Sequence, residues 1–235
     1  MFRKLLIFSL IINLTACAEL QQIADSIPGN GDIPTNADIS SGLKQALNQG
    51  IDKQVSKLTQ TDGFFKNDLV KILLPEELRN VDEGLRNIGL GNLADEGLKV
   101  LNRAAEDAVG EATPIFVNAI KGMTFNDARK ILLGDDDAAT TYLVSRTRTE
   151  LYNKFQPVIN DSFDKVGADQ IWTNLINKYN AIPFTNNVNP DLTDYVTQEA
   201  LSGVYKMIAV EEKEIRTKIS SRGTDLLKKV FALQD

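Results

Sequence analysis

Histidine is absent from all 235 residues and cysteine occurs once, as Cys17. Without an imidazole that exchanges protons near neutral pH, neither a Ser-His-Asp nor a Cys-His nucleophile can be assembled. With a single thiol there is no intrachain disulfide and no Cys or His ligand set for zinc or an iron-sulfur cluster. The chain therefore calls for no cofactor. Chemistry, if any, would fall to paired carboxylates, a lysine, a tyrosine, or a hard cation held by oxygen. Sustained apolar-polar alternation with β-branched residues is missing too, which argues against a sheet.

The lone cysteine stands in an informative place. Arg3 and Lys4 give a positive start, and an apolar stretch follows from Leu5 to Leu14, broken only by Ser9 and Asn13. That is the pattern of a secretory leader, and it is short of the ~20 apolar residues of a membrane span. The run Leu14-Thr15-Ala16-Cys17 resembles the lipobox of bacterial lipoproteins. The expectation is cleavage between Ala16 and Cys17 and acylation of Cys17. Several acyl chains, each worth ~0.8 kcal/mol per buried methylene, would hold the protein on a membrane without spanning it. Ala18 and Glu19, with no aspartate directly after the cysteine, resemble the sorting pattern for an outer membrane, facing the periplasm.

The predicted organisation is a signal peptide over 1–16, a lipidated N-terminus and tether over 17–37, and a globular domain over 38–235. Pro28, Gly29, Asn30, Gly31 and Pro34 break regular structure in the tether. Removing Arg3 and Lys4 from 26 basic residues leaves 24 against 32 acidic ones, about −8 net. A surface of that sign disfavours nucleic acid and anionic headgroups as partners.

The rest of the chain reads as helices. Ile39, Leu43, Leu47, Ile51, Val55 and Leu58 recur almost every four residues, and Asn36 or Ser40 is placed to cap their start. A second helix should begin near Pro75, with the stripe Leu78, Val81, Leu85 and Ile88. Phe64, Phe65, Leu69, Ile72, Leu73 and Leu74 form an apolar connection that must be buried, in irregular or briefly extended chain. A third helix spans about Asn92 to Ala112. Thr113-Pro114 reads as the cap and first position of a fourth, and Thr124 with Asp127 as the capping pair of a fifth. Gly134 occupies a position where a helix end wants positive φ.

A long helix from about Ala138 should kink or restart at Pro157. Others follow around Trp172, Leu175, Ile176 and Tyr179, from about Leu192 to Lys218, and from Thr224 through Phe231. The predicted fold is all-α, one compact domain of about eight to ten helices.

Five segments carry a wider resemblance. They are Asn36 to Leu47 (NADISSGLKQAL), Leu101 to Ala108 (LNRAAEDA), Gly134 to Thr140 (GDDDAAT), Asp194 to Thr197 (DYVT) and Thr224 to Phe231 (TDLLKKVF). Together they resemble the bacterial family called domain of unknown function 4197. The resemblance implies a helical envelope protein, often lipid-anchored, and carries over no catalytic residues.

Asp135, Asp136 and Asp137 are three neighbouring carboxylates, the first candidates for a metal. Consecutive aspartates at a helix start point in different directions, so capping is the preferred reading and no metal is expected. Asn187, Asn189 and Asp191 imitate half of an EF-hand loop, but Leu192 and Gln198 stand where glycine and glutamate are required. Arg146, Arg148 and Glu150 would recognise a carboxylate or other anion if they reach a cleft. Glu211 lies on an apolar side of its helix, where Arg103, Arg146 or Arg148 would pair with it, making Arg103, Arg146, Arg148 and Glu211 a possible polar cluster. The run Glu211 to Arg216 otherwise suggests surface ion pairing.

The functional expectation is a lipid-anchored, non-catalytic binding or scaffold module of the bacterial envelope. Its partners would be an envelope protein, an envelope polymer or an apolar small molecule, besides the membrane. The alternative is a carboxylate-dependent envelope hydrolase such as a glycosidase, which needs two acidic side chains ~5 to 9.5 Å apart on one cleft.

Overall fold

A computed structural model describes residues 33–87, 91–167 and 191–234, together with Trp172, Thr173, Ile176, Asn177 and Asn180. The leader, Ala16, Cys17, Asn187 and Asn189 lie outside them. Every regular element among the described residues is helical. In chain order the α-helices whose bounds are described are α1 (Asn36–Leu58), α2 (Glu76–Asn87), α3 (Gly91–Val109), α4 (Ala112–Lys121), α5 (Phe125–Leu132), α6 (Ala138–Val166), α7 (Thr193–Thr217) and α8 (Asp225–Phe231), and Trp172, Thr173, Ile176, Asn177 and Asn180 are helical as well.

α6 and α7 pack along each other and α3 lies across both, while α1 packs on α7 and meets α4, α5 and α8. Leu43, Ile51, Leu101, Leu143, Leu151, Phe155, Val204 and Leu227 are among the residues that fill the interior between them. Their spacing of three and four along each helix puts them on one face, and each fully buried Leu or Phe contributes ~1.5–3 kcal/mol.

Local chemistry sets most boundaries. Thr35, not Asn36 or Ser40, caps α1: its hydroxyl accepts from Asp38 N at 3.1 Å and Asp38 Oδ2 accepts from Thr35 N at 2.9 Å. The same reciprocal box joins Thr124 and Asp127 at the start of α5, as its sequence predicts. Thr224 caps α8 through Leu227 N.

α4 starts one residue before Thr113, after Glu111, which makes no side-chain cap. Gly134 does not adopt positive φ; that geometry falls to Gly167, at φ 63° closing α6. Gly134 is required by closeness instead, since a Cβ there would lie 2.8 Å from the Lys130 carbonyl oxygen and 2.9 Å from Ala138 Cβ.

α6 runs for 29 residues through Pro157 without restarting. The missing N–H costs ~3 kcal/mol in a helix interior. Leu151, Phe155, Ile159 and Phe163, all buried on either side of the proline, outweigh it.

The apolar connection 64–74 is buried only in part. Phe64, Val70, Ile72 and Leu74 point in, whereas Leu69 and Leu73 are exposed. From residue 70 to 74 the inward positions alternate, Val70, Ile72 and Leu74 being buried and Leu73 exposed, the period of two that extended chain gives. Asn102 acts as its partner: Ile72 N donates to Oδ1 and Nδ2 donates to Ile72 O, both at 2.8 Å.

Candidate functional site

The core face of α7 carries charge. Ile208, Glu211, Glu212 and Ile215 follow the i, i+3, i+4, i+7 spacing, so both glutamates turn inward with the isoleucines. Glu212 and Arg216 form an ion pair at 2.8 Å in which each side chain is 5% exposed.

Glu212 accepts from Ala139 N at 2.9 Å, Thr140 N at 2.8 Å and Thr140 Oγ1 at 2.8 Å. The two amides belong to the first turn of α6, where backbone N–H groups have no partner inside the helix. Arg216 donates to Ile131 O at 2.9 Å and Leu132 O at 3.3 Å, at the C-terminal end of α5. Gln234 Nε2 also donates to Leu132 O. One buried pair on α7 therefore puts an anion on the positive end of α6 and a cation on the negative end of α5.

This corrects the reading of the aspartate run. Asp137 makes no side-chain cap, and Asp135, Asp136 and Asp137 are exposed. No group of three or more metal-capable side chains occurs among the described residues. Glu212, 72 positions along the chain from Thr140, performs the capping instead.

Glu211 is buried, as its apolar side implies, but its partners are not the expected arginines. Gln54 Nε2 donates to it at 2.6 Å and Lys53 Nζ pairs with it at 2.7 Å. Gly50 leaves it room, since a Cβ there would sit 3.1 Å from Glu211 Cγ. The cavity lined by Glu211, Glu212, Arg216 and apolar side chains of α1 holds only about 20 Å³. A ligand pocket usually needs ~300 Å³ or more.

Arg103 belongs to another network. It pairs with Glu106 at 2.5 Å and Asp62 at 2.6 Å. Glu106 is buried and accepts from Asp62 N, Phe64 N and Phe65 N at 3.2, 3.0 and 3.4 Å. The 59–66 turn thus wraps its amides around a carboxylate of α3, with Asp62 at φ 68°. The Lys66 ammonium and the Arg103 guanidinium hold the Asp62 carboxyl below the usual range.

Arg148 donates to Gln198 at 2.6 Å. Arg146 lies over the Tyr142 ring, 5.4 Å from its centroid. Among the described residues Arg103, Arg146, Arg148 and Glu211 thus form no cluster, because each faces a different neighbour.

Arg146 and Glu150 do reach a cleft. It is an open depression of about 330 Å³ between α4, the start of α5 and α6, also lined by Ile115, Ala119, Asp127 and Tyr142. Larger polar depressions of about 440 and 400 Å³ lie at the 57–69 turn and beside Leu133 and Leu233.

Tyr205 is buried, its hydroxyl 2.7 Å from Thr147 Oγ1. Burial raises its phenol pKa. Tyr152 donates to Asp194 at 2.7 Å, which also raises it.

The fold and these ties define a helical domain whose helix ends are clamped by buried charge. The chain belongs to the family described as protein of unknown function DUF4197, whose model matches residues 33–232. No curated protein and no solved structure matches it.

Proposed function

We propose that the protein is a lipid-anchored recognition module of the bacterial envelope, held at Cys17 and working without catalysis. The observation that carries this is the Leu14-Thr15-Ala16-Cys17 run after a positive and apolar leader, joined to a helical body whose helix ends are tied by buried charge. No described helix is long and apolar enough to cross a membrane, so attachment would rest on the lipid. An envelope location with the body facing the periplasm follows from the same leader.

The buried acids favour recognition over carboxylate-dependent hydrolysis. Glu106, Glu211 and Glu212 are each paired with a base. A glycosidase acid needs a raised pKa, whereas Asp38, Asp62, Asp127 and Glu214 are all lowered by hydrogen bonds and neighbouring cations. The cavity on α7 is too small for an apolar guest, which moves recognition to the surface depressions.

Metabolic labelling with a fatty-acid probe tests the anchor. Label should enter the wild type and be lost in Cys17→Ser; equal incorporation into both overturns the attachment. Crosslinking in intact cells followed by capture of the anchored chain tests recognition, and turnover of peptidoglycan fragments would overturn the non-catalytic reading.

A further inference from the structure

The depression on α4 and α6 differs from the others in holding a guanidinium whose donors meet no acceptor. Among the described residues Arg146 makes no hydrogen bond or ion pair; it stacks on Tyr142 and lies near enough to Asp127 for its charge to help lower that carboxyl. Glu150, one turn later on the same face, is equally unengaged. Other exposed helical pairs four apart close onto each other: Asp82 with Arg86 at 3.0 Å and Glu214 with Lys218 at 2.5 Å.

The difference has a physical origin. In the two helical pairs, Asp82 with Arg86 and Glu214 with Lys218, the acid precedes the base, the orientation that suits the helix dipole, whereas Arg146 precedes Glu150. Tyr142 further holds the guanidinium on its N-terminal side, away from Glu150. A cation and an anion with Cβ atoms ~6 Å apart are thus held open on one wall.

The remaining lining restricts what would bind between them. Asp127 is fixed by the Thr124 hydroxyl and amide and stays ionised, its carboxyl held below the usual range by those bonds and by the nearby charges of Arg146 and Lys130. With Asp127 and Glu150 against Arg146, the titratable lining is net negative by one charge. Phosphate and other dianions are repelled. A ligand carrying both an ammonium and a carboxylate is not. Half-buried Ala119, with the small exposed edge of buried Ile115, gives an apolar patch beside the charges.

We propose that this cleft binds the head of a free α-amino acid with an apolar side chain. Arg146 takes the carboxylate, Glu150 takes the ammonium group, and the side chain lies on Ile115 and Ala119. Arg146 is suited to the task because a planar guanidinium meets a carboxylate with two parallel N–H donors. The proposal rests on the recognition reading but not on the anchor.

Calorimetric titration of the full chain in detergent with L-leucine tests it. A Kd of about 0.1–1 mM is expected for a ligand of this size in an open site. Leucinamide, which lacks the carboxylate, and N-acetyl-leucine, which lacks the ammonium, should each bind at least about tenfold more weakly. Arg146→Ala and Glu150→Gln should weaken leucine by a similar factor while their thermal unfolding stays that of the wild type, since both side chains are exposed.

Absence of leucine binding at about 10 mM, or binding unchanged by Arg146→Ala, overturns the proposal. So does N-acetyl-leucine or inorganic phosphate binding as tightly as leucine, which would make this a simple anion site. Fatty-acid labelling of Cys17 alongside failed leucine binding removes the cleft ligand alone. Leucine binding with no label removes the anchor alone.

Discussion

Two charged stretches that look alike in the sequence meet opposite fates. On α7, Glu211, Glu212 and Arg216 are buried and saturated with partners. On α6, Arg146, Arg148 and Glu150 are exposed, and Arg146 and Glu150 make no hydrogen bond or ion pair among the described residues. The residue types are the same, so the type of charge does not decide the role. What decides is whether the helix face also carries the isoleucines that the core requires, as Ile208 and Ile215 do around the two glutamates. Once buried, a charge must find a partner or the fold fails; left outside, it is available to a ligand.

The sharpest way to break this contrast is Glu212→Gln. It keeps the shape, removes the charge opposite Arg216, and weakens the anchoring of the first turn of α6. A loss of about 3–5 kcal/mol in urea unfolding is expected, as for one partner removed from a buried pair. A loss below about 1 kcal/mol would show the pair to be ornamental.

Glu106→Ala should follow with about 2–3 kcal/mol, because three turn amides and Arg103 lose their acceptor. Proteolysis of this variant should begin within residues 59–66.

Lys53→Ala probes the edge of the buried set. Lys53 is 64% exposed and Gln54 still donates to Glu211, so the loss should stay below about 1 kcal/mol. Arg146→Ala, at the other extreme, should change stability by less than about 0.5 kcal/mol. A large loss there would erase the distinction between the two stretches.

Acid uncovers a last layer. Asp38 and Asp127, held by Thr35 and Thr124 in their capping boxes, have carboxyl pKa values lowered from the ordinary 3.8. A lowered folded value means that their stabilisation is complete above 3.8 and fades as pH falls through the lower folded value. Circular dichroism between pH 5 and pH 2 should therefore show the starts of α1 and α5 holding to below pH 3.8. Thr35→Ala and Thr124→Ala should move that onset upward.

Much of the fold is legible because helices announce themselves locally. The stripe Ile39 to Leu58, the Thr124-Asp127 pair and the Thr224 cap each need only a few neighbouring residues to be read. The last of these lies in the TDLLKKVF segment that also carries the family resemblance. Pro157 misleads for the opposite reason: its cost is local, but the burial that overrides it comes from elements far along the chain.

The buried ties are hidden for the same cause. Glu212 caps α6 from more than 70 positions away, so the adjacent Asp137 looks like the better cap until the fold brings α7 across. A signal was nonetheless present. Glu211 and Glu212 sit at i+3 and i+4 from Ile208, and Asn102 and Glu106 sit four apart beside Leu101 and Ala105. Polar residues in those registers of a core stripe foretell buried partners, though not which ones.

The meeting of α1 and α8 has a mechanical consequence. Lys229 Nζ reaches Asp38 Oδ2 at 3.3 Å, Thr224 Oγ1 reaches Gln45, and Gly42 lies against Val230, so the first helix of the body is zipped along the last. A pull applied through the residues before Thr35 enters α1 at its capping box, and it loads this seam in shear before it reaches the α6 and α7 core. The body would resist such tugging as a closed clasp does, with the fastening at the helix start that takes the load.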